Sequence, residues 1–148
     1  MRHRQTVPLQ WLILQDREGI ARLGELPRGS GILLLTELSG RDVRWLRHFA
    51  RQRDLSIVRE ERGGAERVHG MRELRRALQT RTPLILLSPI YPTSSHPDWK
   101  RIPRMRAAAL ARLGGRRLLA LGGMNARRFA RIKGLGFQGW AGISAFRT

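Results

Sequence analysis

The chain has no cysteine, almost no lysine and few acids, and each shortage closes off a class of function. Without cysteine there is no disulfide framework, thiolate zinc site, iron–sulfur ligation or cysteine nucleophile. Lysine occurs only at Lys100 and Lys133, and 11 acidic residues face 29 basic ones, for a net charge of +18. Nearly all of that charge is arginine. It is dispersed in singles and pairs such as Arg51 and Arg53, Arg75 and Arg76, and Arg127 and Arg128. No run of five or six like charges occurs, so the usual basic nucleic-acid arm is missing. Aromatic residues make up 6%, too sparse for a base-stacking platform. No apolar run approaches the ~18 residues that span a bilayer. The stretch after Met1-Arg2-His3-Arg4 is broken by Pro8 and Gln10 and carries no small-residue cleavage site. A cytoplasmic protein without membrane contact is expected.

What is present is a packed α/β pattern. Hydrophobic residues form 41% of 148 positions, enough for a core and consistent with a single domain over residues 1–148. Short, nearly continuous apolar runs predict strands at Trp11–Leu14, Gly31–Thr36, Leu55–Val58, Leu84–Ile90, Arg117–Leu121 and Trp140–Ser144, with a weaker one near Arg67–His69. Continuous apolarity, unlike alternation, is the mark of parallel strands covered on both faces. Helical periodicity lies between them at Arg41–Arg53, Met71–Gln79, Met105–Leu113 and Ala126–Lys133.

Three strand ends carry residues that core packing does not need. Leu87-Ser88-Pro89-Ile90-Tyr91-Pro92-Thr93-Ser94-Ser95-His96 runs from a buried strand into a proline-stiffened loop with three consecutive hydroxyls and a histidine. Hydroxyls and backbone N–H groups held in place suit phosphate oxygens. Ala120-Leu121-Gly122-Gly123-Met124-Asn125 passes through two glycines into a helix, so the backbone can approach a ligand closely. Gly142-Ile143-Ser144-Ala145 ends the last strand with small residues and a hydroxyl. Successive parallel strands of a barrel present such ends on one face, where phosphate is commonly held after the last two strands.

From about Leu84 to Phe146 these motifs resemble the thiamine phosphate synthase/TenI-like family. Ser88-Pro89-Ile90-Tyr91-Pro92-Thr93 is similar to its strand-six motif, with serine for the first glycine. Ala120-Leu121-Gly122-Gly123-Met124 is similar to its strand-seven Gly-Gly turn, and Gly142-Ile143-Ser144-Ala145 to its strand-eight phosphate segment. The resemblance implies a TIM-barrel-like (β/α)8 fold. At 148 residues against a typical ~250, the fold should be shortened by about one βα unit. An open seam in such a barrel would leave strand edges that a second copy could cover.

The resemblance further implies a small phosphorylated thiamine precursor as the partner. Thr93, Ser94 and Ser95 would contact its phosphate, backbone groups of Gly122, Gly123, Ile143 and Ser144 would complete the cradle, and His96 stands where synthases place a pyrophosphate-binding lysine. Synthases use Mg²⁺ to neutralise the departing pyrophosphate. The acidic and basic motifs for that step have no counterpart here, and Glu60 is the candidate metal ligand that remains, with Glu61, Arg59 and Arg62 nearby. His69 and His96 are the candidates for general acid/base work. The expectation is therefore a protein that binds a thiazole phosphate or thiamine phosphate without full synthase activity. The alternatives are an active synthase and a non-catalytic basic protein that binds nucleic acid or a surface.

Overall fold

The computed structural model describes residues 7–61, 63–93 and 96–143. Seven strands form one sheet: β1 (Gln10–Leu14), β2 (Gly31–Leu34), β3 (Ser56–Arg59), β4 (Ala65–Val68), β5 (Leu84–Leu87), β6 (Leu118–Ala120) and β7 (Gly139–Gly142). Their order is β3-β2-β1-β7-β6-β5-β4 and every pairing is parallel. The sheet curls into a nearly closed barrel, open between β3 and β4. Four helices cover it: α1 (Gly40–Arg53), α2 (Met71–Leu78), α3 (Arg104–Gly114) and α4 (Ala126–Ile132). A nine-residue 3₁₀ segment, Arg17–Glu25, joins β1 to β2, with the Asp16 carboxylate accepting from Gly19 N–H.

Alternation along each strand divides the core into an inside and an outside, as a barrel requires. Trp11, Ile13, Leu33, Leu84, Leu86, Leu119, Leu121 and Ala141 fill the barrel. The intervening Ile85, Leu87, Leu118, Ala120 and Trp140 pack outward against Leu74, Leu110, Phe129 and Ile132 of the helices. Leu12, Leu14, Ile32 and Leu34 do the same against Leu23, Leu26 and Leu46. Both faces of β1, β2, β5, β6 and β7 are thus buried, which explains their apolar runs.

The shortening falls between β3 and β4, which are joined by five residues and no helix. Parallel neighbours ordinarily need a crossover of a dozen residues or more. Barrel stagger removes that need here. Val68 is level with Leu87, Ala120, Trp140 and Gln10, while Trp11, one residue further on, is level with Gly31 and Ser56. Followed the long way round, the end of β4 is therefore level with the start of β3. The shear that closes a barrel then brings the start of β4 round to the end of β3. Gly64 sits so close to Arg59 there that a Cβ would collide with its carbonyl.

Several arginines serve the fold. Arg117 donates to the carbonyls of Leu78, Thr80 and Thr82, at and just beyond the end of α2. Arg53 donates to those of Gly24 and Leu26, and Arg104 to Arg131. A guanidinium satisfies carbonyls left orphaned at helix ends and favours the negative end of the helix dipole. Part of the charge excess is thus structural cross-linking.

Helix α1 ends at Asp54 in the left-handed region (φ 55°, ψ 44°), with its carboxylate at the negative end of the helix dipole. Glycine takes that conformation without strain. Asp54→Gly should raise stability by about 0.5–1 kcal/mol, read as a melting temperature higher by roughly 1–4 °C. A lower melting temperature would show that the carboxylate has a stabilising partner.

Candidate functional site

A cavity of about 420 Å³ opens at the C-terminal ends of the strands. Its floor is Ile13 and Leu121, and its walls come from the segments that follow β1, β5, β6 and β7, with Arg67 entering from β4. The β5–α3 segment is held down by backbone bonds from Ile90 N–H to Leu121 O and Tyr91 N–H to Gly122 O, at 3.0 and 3.1 Å. Ile102 N–H returns to Pro89 O at 2.8 Å. The loop is thereby pinned to the Gly-Gly turn instead of projecting from the barrel.

Gly122 (φ 101°) and Gly123 (φ 58°) both line the cavity in the region of φ that favours glycine. A Cβ on Gly122 would come 2.8 Å from Pro89 Cα; one on Gly123 would strike the Pro92 carbonyl and come 3.0 Å from an Arg128 Nη. Two bare backbone residues therefore let the chain turn directly under the ligand space. Asn125 caps α4, its side-chain oxygen accepting from Arg128 N–H at 2.8 Å. That cap directs the Arg128 side chain back over the turn. There its guanidinium donates to Gly123 O and lies over the Tyr91 ring, 4.9 Å from the centroid. Stacking on an aromatic face and bonding to a carbonyl fix the fork against the cavity wall.

Of the residues expected from the sequence, Thr93, His96, Gly122, Gly123 and Ile143 all line this one cavity. Ser94, Ser95, Ser144 and Arg62 lie outside the described residues. His96 stacks on Trp99 with ring centroids 3.9 Å apart, both exposed at the cavity mouth. His69 is elsewhere: exposed beyond β4 and off the cavity wall, it donates from Nδ1 to the Ser88 carbonyl at 3.0 Å and meets Trp99 edge-on. Both histidine rings thus contact Trp99, and of the two only His96 lines the cavity.

Glu60 is not disposed as a metal ligand. Both its oxygens face Arg67, with Nε 2.6 Å from one and an Nη donating to the other at 3.2 Å. The pair bridges the open seam between β3 and β4. Among the described residues no three acidic or histidine side chains gather where a cation could be held. Arg59 pairs with Glu37, 3.0 Å away on the protein exterior.

Sequence reasoning missed Arg67, Arg128, Gln15 and Trp99 as cavity residues. For Arg128 a signal existed, since Asn125 three residues earlier marks a capped first helical turn beside a strand end. For Arg67 none did: its position depends on the stagger across the seam.

Parallel strands curled into a barrel, with a glycine-walled cavity at their carboxyl ends, define a TIM-barrel-like α/β protein. The family model for thiamine monophosphate synthase matches residues 66–146, more than half of the chain, and the chain belongs to that family. It is similar in fold to a thiamine phosphate pyrophosphorylase from Pyrococcus furiosus, with a TM-score of 0.73 over 97% of this chain and 89% of that one at 15% identity. A thiamine phosphate pyrophosphorylase from Bacteroides thetaiotaomicron gives a TM-score of 0.59 over 93% and 83% at 16% identity. No curated protein matches at comparable stringency. Among the described residues, no helix is long and apolar enough to cross a membrane.

Proposed function

We propose that the protein binds a thiazole phosphate or thiamine phosphate in the cavity at the strand ends, with the phosphate at the Gly122–Gly123 turn. The observation that carries this reading is the convergence of that turn with Thr93, Ile143 and the fixed guanidinium of Arg128 on one cavity. Backbone and hydroxyl groups supply hydrogen bonds and Arg128 supplies permanent charge, each charge-assisted bond contributing about 1.5–3 kcal/mol. The heterocycle would extend towards the His96–Trp99 stack at the mouth, where flat rings pack well.

Mg²⁺ is the cofactor a synthase of this family would use, and the described residues do not fit it: Glu60 is already paired with Arg67, and no three acidic or histidine side chains gather among them. Phosphoryl departure needs its developing charge offset, so binding without full synthase turnover is the reading preferred. Membership of the family supports the second reading, an active thiamine phosphate synthase. Surface binding of nucleic acid gains no support from arginines such as Arg53 and Arg117, which are spent on backbone carbonyls.

Calorimetric titration with thiazole phosphate and thiamine phosphate, with and without Mg²⁺, tests the first reading. Saturable binding whose Kd changes less than about twofold with Mg²⁺ is expected. Binding that appears only with Mg²⁺, together with thiamine phosphate formed from the two precursors, would establish the second reading instead.

A further inference from the structure

In a complete barrel each strand is followed by a helix that covers its outer face. Five residues and no helix lead from β3 to β4, so the outer face of β3 is covered from one side only, by α1. A groove of about 360 Å³ remains there, floored by Leu34 of β2, Ile57 of β3, Leu55, and Leu46 and Ala50 of α1. It lies on the seam side of α1. Arg53, on another face of that helix, donates to the carbonyls of Gly24 and Leu26, whereas nothing from the Arg17–Glu25 segment lines the groove. No residue lines both this groove and the cavity at the strand ends. Along α1, Val43, Leu46 and Ala50 follow the i, i+3, i+7 spacing that one helix presents to another. Arg47 and Arg51 flank that row four residues apart, Arg59 lines the groove from β3, and no acid lines it. Arg47 and Arg51 are exposed, and among the described residues neither guanidinium has a hydrogen-bond or ion-pair partner.

We propose that this groove docks an acidic amphipathic helix of another protein, which completes the outer ring of the barrel where the chain's own helix is missing. Apolar residues of the partner at i, i+3 and i+7 lie on Leu46, Ala50 and Ile57, as in other helix-in-groove contacts. Carboxylates flanking them meet Arg47 and Arg51, and this complementarity of charge selects the partner and speeds its approach. A second copy of this chain is the poorer occupant. A two-fold contact would set the same arginines against each other, on a chain of net charge +18.

The probe is a fluorescent peptide of the 14-residue length of α1, locked as a helix because so short a helix is marginal alone. It carries leucines at i, i+3 and i+7 flanked by glutamates, and its binding to the intact protein is read by anisotropy. Wild type should bind it with a Kd of order 1–100 μM, about tenfold or more tighter than a scrambled peptide of the same composition. Arg47→Glu with Arg51→Glu should weaken the probe about tenfold or more. Arg75→Glu with Arg76→Glu makes the same change of charge at exposed positions on α2 and should leave it within about threefold. Amide shifts of the wild-type protein should centre on Val43, Ala50 and Ile57, which locates the site even if a variant melts early. No saturable binding, equal affinity for the scrambled peptide, equal losses for the two arginine pairs, or shifts confined to other surfaces would overturn the proposal. So would a dimer in sedimentation that Arg47→Glu with Arg51→Glu dissolves, since the groove would then belong to a second copy.

Discussion

Gly123→Ala should weaken thiazole phosphate binding by about tenfold to a hundredfold. The new Cβ would run into the Pro92 carbonyl and approach Arg128 Nη and Tyr91 Cβ to 3.0 and 3.1 Å. Backbone cannot yield as a flexible side chain can, so the Gly-Gly turn and the loop after β5 must separate. That displaces both halves of the proposed phosphate cradle and the Arg128–Gly123 bond together. Holding alanine at φ 58° adds strain of order 1–3 kcal/mol, visible as a lower melting temperature. Loss of affinity well beyond the loss of stability is the signature expected of a binding residue. A variant that bound thiazole phosphate as wild type does, at a temperature where it is folded, would place the phosphate elsewhere.

The largest effect on stability is expected at Trp11. Its ring is 2% exposed inside the barrel, with Nε1 donating to the Pro8 carbonyl at 2.9 Å. Gly31, level with it on β2, is the residue that makes room: a Cβ there would overlap the indole. A large ring against a glycine is a close fit that smaller side chains cannot reproduce by sliding. Trp11→Ala should cost about 3–5 kcal/mol, a substantial share of the 5–15 kcal/mol typical of a domain. Thermal unfolding should show a decrease of roughly 6–20 °C. A decrease under about 3 °C would mean that the barrel interior collapses around the gap, contrary to the packing described.

The parts of this molecule that depend on local pattern could be read from the sequence. Apolar runs located β1, β2, β3, β5, β6 and β7 to within a few residues; for all but β3 burial on both faces makes the run continuous. The apolar run predicts strand over Leu84–Ile90, yet β5 stops at Leu87. Ser88 and Pro89 already belong to the loop, and Ile90 is buried by loop packing, not by the ladder. The sequence pattern does not predict the 3₁₀ segment over Arg17–Glu25: its apolar residues are few, and its entry rests on Gly19 N–H, shared between the side chain and the carbonyl of Asp16. In the site, motif order named Thr93, His96, Gly122, Gly123 and Ile143, and these five line one cavity. Arg67 and Glu60 meet only because the barrel's stagger closes a seam, and a relation of that range leaves no trace in spacing along the chain. The charge excess likewise changed meaning once Arg53, Arg104 and Arg117 were seen tying down helix ends and loops.

The central claim is that a phosphorylated thiamine precursor sits over the Gly122–Gly123 turn without a cation. The most direct test is to follow backbone amide resonances of the ¹⁵N-labelled protein during titration with thiazole phosphate in EDTA. The largest shifts should fall on Gly122, Gly123, Thr93 and Ile143, saturate together, and be unchanged when Mg²⁺ replaces EDTA. No saturable shift at these four amides, or shifts there only once Mg²⁺ is added, would contradict it.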